Sequence, residues 1–173
     1  MSYTNRHFIK NFLEQHVKTN QLVIDGFAKE GQNTRFLASR VGKDGQVLSF
    51  HNTKEEANKT AASLFMAGLQ ERATIVNGAL FEDTLKQELG RLTKVDRVVL
   101  DYMDDAVSPD AVDEALTSVW PYVKPAGTVL LSVKNGFNFV EAYAEELGSL
   151  GSSASFTAED GLTWLFEKQS ADD

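Results

Sequence analysis

The stretch QLVIDGFAKEGQNTRFLASRVG, from Gln21 to Gly42, decides the fold. It opens with LVIDGF, an apolar run around Asp25 that predicts a strand buried on both faces, as the strands of parallel sheets are. A short turn with glycines follows, and a helix begins at about Asn33 with Leu37 and Val41 on its inner face. A strand, a glycine-bearing turn and a helix in this order are typical of nucleotide-cofactor sites in α/β folds.

The composition limits the classes of protein to which the chain can belong. A length of 173 residues, with 42% hydrophobic and 24% charged residues, predicts a single domain, 1–173, with a full-sized core. The net charge of -8 gives no overall attraction to nucleic acid or anionic lipid, although it does not exclude a local basic patch. There is no signal-like segment and no run of roughly 20 apolar residues, so we expect a soluble cytoplasmic protein without membrane contact.

The same composition argues against a metal centre. The chain has no cysteine, which excludes disulfides and thiolate ligands. Its three histidines, His7, His16 and His51, stand far apart without the spacing of metal ligands. We therefore expect no metal.

Strands and helices continue to alternate after the opening stretch. The further predicted strands are QVLSFH (46–51), ATIVNG (73–78), DRVVLDYM (96–103) and the fifth strand within KPAGTVLLSV (124–133). The predicted helices are 7–18, the one from about Asn33, one capped by Thr53, 81–92, one opened by Ser108 and Pro109, and 139–147. SASFTA (153–158) and LTWLFEK (162–168) form a terminal hairpin. This order predicts an α/β fold, a Rossmann-like, doubly wound and mostly parallel sheet with an antiparallel C-terminal hairpin.

Apolar spacing also predicts which helix residues face the core. The helix after Thr53 should bury Ala57, Ala61, Leu64 and Phe65, and the helix 81–92 should bury Leu85, Leu89 and Leu92.

Ligands of open parallel sheets bind beyond the carboxyl ends of the strands, near the point where the strand order reverses. In this sequence those ends are 25–31, His51 and Asn52, Asn77 and Gly78, 101–104 and 134–136. The alternative for each residue is a polar loop position that only caps a helix.

The order and spacing of the elements resemble the class I S-adenosylmethionine-dependent methyltransferases. Over residues 7 to 133 the chain is similar to small bacterial methyltransferases first described as rRNA methylases, some of which methylate 5-aminomethyl-uridine at the wobble position of tRNA. Their first motif ends a strand in an acid and turns through D-A-T-x-G-N-G, and this chain has DGFAKEGQNT in register. The segments QVLSFHNTKEEANKTAASLFMAGLQERATIVNG and VKPAGTVLLSV follow the family's later elements.

The resemblance implies a set of site residues and S-adenosylmethionine as cofactor. The cofactor turn would be formed by Asp25, Gly26, Phe27 and Gly31, and Asn33 and Thr34 would open the following helix, where first-turn amides can hold a carboxylate. His51 and Asn52 would lie near the ribose, Gly78 and Ala79 near the adenine, and Asp101 and Tyr102 would face the methyl acceptor. That acceptor would be RNA (tRNA or rRNA) or a small amine.

Departures from the family pattern fall within this set and beside it. Lys29 stands where the family's turn has its middle glycine. Glycine suits that position because it has no Cβ between the backbone and a ligand, and because a positive φ is unfavourable for other residues. His51 replaces an aspartate that accepts hydrogen bonds from both ribose hydroxyls, which one imidazole cannot do. Losing charge-assisted bonds of that kind costs about 1.5–3 kcal/mol. Asp101 replaces an asparagine, and KNGFNF replaces a loop rich in His and Gly.

Several interpretations stay open at this stage. The first is a divergent methyltransferase whose acceptor amine could pass its proton to Asp101. The second, which the departures motivate, is an inactive relative that serves as a binding or oligomerisation module, with a homodimer as one form. A third interpretation, a protein that binds another adenine nucleotide, has less support, because the sequence has no glycine-rich phosphate loop. Tyr102 could stack on a ligand or shield the end of the sheet, and Lys29 could attract a carboxylate or lie in solvent.

Overall fold

A computed structural model describes residues 3–134 and 151–169. Seven strands form one sheet in the order β3-β2-β1-β4-β5-β7-β6. The strands are β1 (Leu22–Asp25), β2 (Gln46–His51), β3 (Ala73–Asn77), β4 (Val95–Tyr102), β5 (Val123–Lys134), β6 (Gly151–Ala158) and β7 (Gly161–Lys168). The helices are α1 (Asn5–His16), α2 (Gln32–Val41), α3 (Lys54–Met66), α4 (Glu82–Leu89) and α5 (Pro109–Val119).

The sheet has the predicted class and topology. The first five strands pair in parallel, and β7 then runs antiparallel to both β5 and β6. Sequence order reverses between the neighbouring strands β1 and β4, which places the switch point of the sheet at their carboxyl ends. The helix predicted at 139–147 lies outside the described residues.

Helices cover the sheet on both faces, which is why LVID in β1 is apolar without alternation. On one face α1, α2 and α3 contribute to a buried cluster that includes Ile9, Leu37 and Leu64. On the other face α4 and α5 pack through Leu85 and Leu116. Within the described residues, no helix is both long and apolar enough to cross a membrane.

The helix starts predicted at Thr53 and Ser108 are confirmed, whereas three predicted core positions are wrong. Thr53 accepts a hydrogen bond from the backbone of Glu56 at 3.1 Å, and Ser108 caps α5. Phe65, however, is 69% exposed, because the buried stripe of α3 runs through Ala57, Thr60 and Leu64, and Ala61 is exposed too. Leu92 is 93% exposed, because α4 already ends at Leu89 and the chain turns at Gly90.

A buried polar cluster anchors the start of α1 to the terminal hairpin. The Asn5 side chain is fully buried, and its Nδ2 donates to Asp160 Oδ1 at 2.8 Å. Thr163 Oγ1 donates to Asn5 Oδ1 at 2.6 Å and lies 2.6 Å from Ser132 Oγ. This anchor fixes the direction of the next residue, Arg6, whose guanidinium reaches the carboxyl end of β4.

We predict that Asn5→Ala lowers the free energy of unfolding by about 2–3 kcal/mol, because it leaves buried polar groups of the hairpin without their partner. Urea denaturation measures the change. Asn11→Ala is the matched control on the same helix, since Asn11 is exposed and its side chain donates to the exposed Tyr3 hydroxyl group. Equal losses in the two variants would contradict the anchoring role.

Candidate functional site

A cavity of about 290 Å³ opens at the switch point, between the turn that follows β1 and the turn that follows β4. Its position is the one that the fold predicts for a ligand. Its lining residues are Arg6, Phe27, Ala28, Lys29, Glu30, Gln32, Asn33, Glu56, Asp101, Asp104 and Asp105.

The turn after β1 keeps the backbone of a glycine turn although Lys29 stands in it. Lys29 has φ +53° and Gly31 has φ +88°, so both lie in the left-handed region. The lysine side chain fits because it leaves the turn toward the β4 loop, where Nζ lies 2.7 Å from Asp105 Oδ2. The hydrogen bond to Asp105 raises the pKa of Lys29. Lysine at this position therefore costs backbone strain and does not break the turn.

The glycines of the turn are required by packing. A Cβ on Gly26 would lie 2.4 Å from Leu100 Cδ2, and one on Gly31 would lie 2.4 Å from Thr60 Cγ2. Neither distance is possible unless the Leu100 or Thr60 side chain shifts, so these glycines let the turn close onto β4 and α3. Their presence is explained without a ligand.

Asp25 ends β1 and is completely buried beneath the turn. Its Oδ2 lies 2.7 Å from Thr34 Oγ1 at the start of α2. Its Oδ1 has no hydrogen bond of normal geometry among the described residues, although the backbone N–H of Phe27 offsets part of the burial effect. Burial, with a smaller contribution from the negative charge of Asp101, raises the pKa of Asp25 to about 7.

His51 ends β2, and its ring is fully buried against the turn. Nδ1 lies 2.7 Å from the carbonyl oxygen of Lys29, and Nε2 lies 2.6 Å from Ser49 Oγ. A carbonyl group can only accept, so Nδ1 carries a proton that it donates to Lys29. Both ring nitrogens are therefore engaged within the protein, and burial lowers the pKa of His51.

Asp101 lies at the end of β4, on the cavity wall, with hydrogen bonds to both of its oxygens. Oδ2 accepts from Arg6 Nη1 at 2.7 Å and from Asn33 Nδ2 at 2.9 Å, and Oδ1 accepts from the backbone of Met103 at 3.1 Å. Arg6 also pairs with Asp104 at 2.5 Å. The carboxylate thus joins α1, α2 and the β4 turn.

Tyr102 is the second residue predicted to face the acceptor, and it is 5% exposed. Its ring packs against Phe27 with the centroids 4.9 Å apart. Burial raises the pKa of its hydroxyl group. The pair closes the end of the sheet beside the cavity.

The structure divides the predicted site residues into three groups. Phe27, Asn33 and Asp101 line the cavity. Asp25, Gly26, Gly31, Thr34, His51 and Tyr102 are buried around it. Asn52, Gly78 and Ala79 do not line it, and the carbonyl group of Ala79 accepts from Thr84 Oγ1 at 2.9 Å.

Sequence reasoning missed Arg6 as part of the site. The residue lies 95 positions before Asp101, and no local motif marks it. The part of the chain that the structure describes contains no cluster of three or more His, Asp or Glu side chains that could hold a metal ion.

Comparison with known proteins supports the fold. No family model matches the sequence. A candidate rRNA methylase from Clostridium thermocellum superposes with a TM-score of 0.79 at 16% identity, over 97% of this chain and 99% of that protein. An rRNA methylase from Streptococcus thermophilus gives 0.75 at 16% identity, over 98% and 99%. The O-methyltransferase TomG from Streptomyces achromogenes, solved with S-adenosylmethionine, gives 0.71 at 16% identity, over 97% and 82%. The chain has the class I methyltransferase fold.

We predict that Lys29→Gly is more stable than Lys29→Ala by about 1 kcal/mol, because both variants lose the ion pair but only glycine is unstrained at φ +53°. Chemical denaturation measures the difference. At Lys59, an exposed position within α3 that also forms ion pairs, the order should reverse, with alanine favoured by about 1 kcal/mol. If alanine were the more stable variant at position 29 as well as at position 59, the turn would not be strained.

Proposed function

We propose that this chain is a divergent S-adenosylmethionine-dependent methyltransferase that acts on a small cationic amine. The observation that supports this proposal is the charge of the cavity at the switch point. Five acids line it, Glu30, Glu56, Asp101, Asp104 and Asp105, against the two cations Arg6 and Lys29.

The excess of negative charge favours ligands that are positively charged, which both S-adenosylmethionine and an ammonium acceptor are. S-adenosylmethionine carries a sulfonium centre, whereas the demethylated product is a neutral thioether. Opposite charges about 4 Å apart attract by about 1 kcal/mol even in water, and the attraction is stronger in a partly closed cavity, where the effective dielectric constant is lower. The cavity should therefore hold the cofactor better than its product, which helps product release.

The chemistry needs few groups from the protein. Bound S-adenosylmethionine would supply the methyl group: the acceptor nitrogen would form the new carbon–nitrogen bond with its lone pair as the carbon–sulfur bond breaks and leaves its electron pair on sulfur. An ammonium group must first release a proton, and one of the carboxylates that line the cavity, Asp101 or Asp104, would accept it. Positioning accounts for most of the remaining rate acceleration, because the sulfonium is already activated.

Arg6 indicates where the amine would bind. Its guanidinium bonds Asp101 and Asp104, yet 41% of its side chain is exposed. A cationic amine can replace Arg6 at these carboxylates and keep them neutralised while Arg6 moves into solvent. An RNA acceptor is less favoured, because the same acids would repel its phosphates.

A second candidate function is a non-catalytic module with the methyltransferase fold. It is favoured by the internal bonding of the site: both nitrogens of His51 and both oxygens of Asp101 already have partners. Gly26 and Gly31 are also explained by packing. Such a protein would bind neither the cofactor nor its product.

Calorimetry with both nucleosides separates the two functions. We expect S-adenosylmethionine to bind more tightly than S-adenosylhomocysteine, by roughly fivefold or about 1 kcal/mol, because only the former is cationic at sulfur. Asp105→Asn should reduce this preference, whereas Asp110→Asn, which changes an exposed acid at the start of α5, should not. No binding of either compound at millimolar concentration would favour the second candidate, and equal binding would contradict the charge argument.

The amine site is tested separately. Arg6→Gln should strengthen the binding of small primary amines to the S-adenosylhomocysteine complex several-fold, since it removes the competing cation while keeping a hydrogen-bond donor. Lys10→Gln is the control, because Lys10 is an exposed residue of the same helix. Titration of an amine panel measures the effect, and an unchanged or weaker affinity would remove Arg6 from the acceptor site. Methylation of added tRNA but not of any amine would assign the acceptor to RNA.

A further inference from the structure

A continuous chain of buried hydrogen bonds lies beneath the turn after β1. Asp25 Oδ2 lies 2.7 Å from Thr34 Oγ1, which lies 2.8 Å from Ser49 Oγ, which lies 2.6 Å from His51 Nε2. All four side chains have no exposed surface. The far side of the imidazole ends the chain at the carbonyl group of Lys29, 2.7 Å from Nδ1.

This chain of hydrogen bonds needs one hydrogen more than its two hydroxyl groups supply. Each of the three contacts between Asp25 and His51 Nε2 needs one hydrogen between its two heavy atoms. The hydroxyl groups of Thr34 and Ser49 supply two. The Nδ1 proton cannot help, because it is donated to the carbonyl group of Lys29. The third hydrogen must come from a protonated Asp25 carboxyl group or from a protonated His51 Nε2.

We propose that Asp25 and His51 share one proton through the hydroxyl groups of Thr34 and Ser49, and that this shared proton positions the turn that carries Lys29. Without it, two hydroxyl oxygens 2.8 Å apart face each other with no hydrogen between them. With a second added proton there would be four hydrogens for three contacts, so two hydrogens would point at each other within one contact. One proton is the number that satisfies the chain, and the bond from Nδ1 to Lys29 then holds the turn against β2. Asp25 and His51 are thus positioning residues for the cavity wall.

The surroundings of the chain favour the arrangement with the proton on Asp25. Burial raises the pKa of Asp25 to about 7 and lowers the pKa of His51. From β4 the negative Asp101 faces Asp25 and also favours its acid form. From α3 the negative Glu56 faces His51 and partly opposes the effect of burial. From the turn, the Lys29 ammonium is directed away to Asp105.

The sign of the pH dependence follows from the same count. In the unfolded polypeptide His51 holds one proton and Asp25 none between about pH 4 and 6.5. The folded and unfolded states therefore bind equal numbers of protons on this pair in that range. Above about pH 6.5 the unfolded chain loses its proton, while the folded chain keeps one until about pH 7. The contribution of the pair to stability is therefore level at acidic pH and falls as the pH rises through this window.

The experiment follows the ring nitrogens of His51 by ¹⁵N NMR between pH 5 and 9. In the unmodified protein we expect the proton on Nδ1, with Nε2 accepting. Thr34→Val cuts the chain, so His51 should then titrate separately from Asp25, with a midpoint displaced by about one pH unit or more. Thr128→Val is the matched control, since Thr128 is a buried threonine of β5 that accepts from Arg97 and lies away from this hydrogen-bond chain and from the turn. If His51 titrates identically in the two valine variants, the proposal is overturned. It is also overturned if the unmodified protein has a neutral His51 ring with its proton on Nε2.

A second variant keeps the test decisive if Thr34→Val does not fold. Asp25→Asn has the shape of aspartic acid and donates to Thr34 at every pH. His51 should then stay neutral with its proton on Nδ1, and the loss of thermal stability above about pH 6.5 seen in the unmodified protein should disappear. If Asp25→Asn retains that loss of stability, the proton is not shared. These readouts need no cofactor, so they remain valid whether or not the proposed function is correct.

Discussion

The hydrogen bond from the His51 ring to the carbonyl group of Lys29 is the contact on which the candidate site depends. It joins the end of β2 to the turn after β1, and Thr60 of α3 places a second donor 3.4 Å from the same carbonyl group. A lysine at φ +53° is unfavourable by about 1–2 kcal/mol in isolation, so the turn needs this support. Because the turn is held, the Lys29 side chain points to Asp105 and forms one wall of the cavity.

The ion pairs across the cavity differ in how easily they can be exchanged. The side chain of Asp101 is 6% exposed, so removing all of its donors would leave a buried charge unpaired. Asp104 is 65% exposed, and Lys29 and Asp105 are each exposed by about a third, so these pairs contribute no more than about 1 kcal/mol. A cation that enters the cavity can therefore displace Arg6 and Lys29 at small cost, provided that it satisfies Asp101.

The sequence predicted the features that depend on neighbours along the chain. Helix caps such as Thr53, the continuous apolar strands and the terminal hairpin are all local patterns, and the structure confirms them. Residues just past the buried stripe or the helix end, such as Phe65 and Leu92, were assigned to the core wrongly because periodicity alone does not fix the phase or the end of a helix. The bonding of the site was not predictable, since Arg6 meets Asp101 only through the tertiary fold.

Two of the departures, at Lys29 and His51, look independent in the sequence but form one feature in three dimensions. From the resemblance alone, lysine where that family has a turn glycine and histidine where it has an aspartate appear as two separate losses. In the structure the imidazole N–H of His51 bonds the carbonyl group of Lys29. An aspartate at position 51 would set a carboxylate oxygen against that carbonyl oxygen and remove the donor that holds the turn. A site that had only lost its ligand residues would leave their buried neighbours without partners, whereas here Ser49 and Thr34 continue the bonding to Asp25. The altered positions thus support each other, and the turn that shapes the cavity is built by the residues that distinguish this chain from the family it resembles.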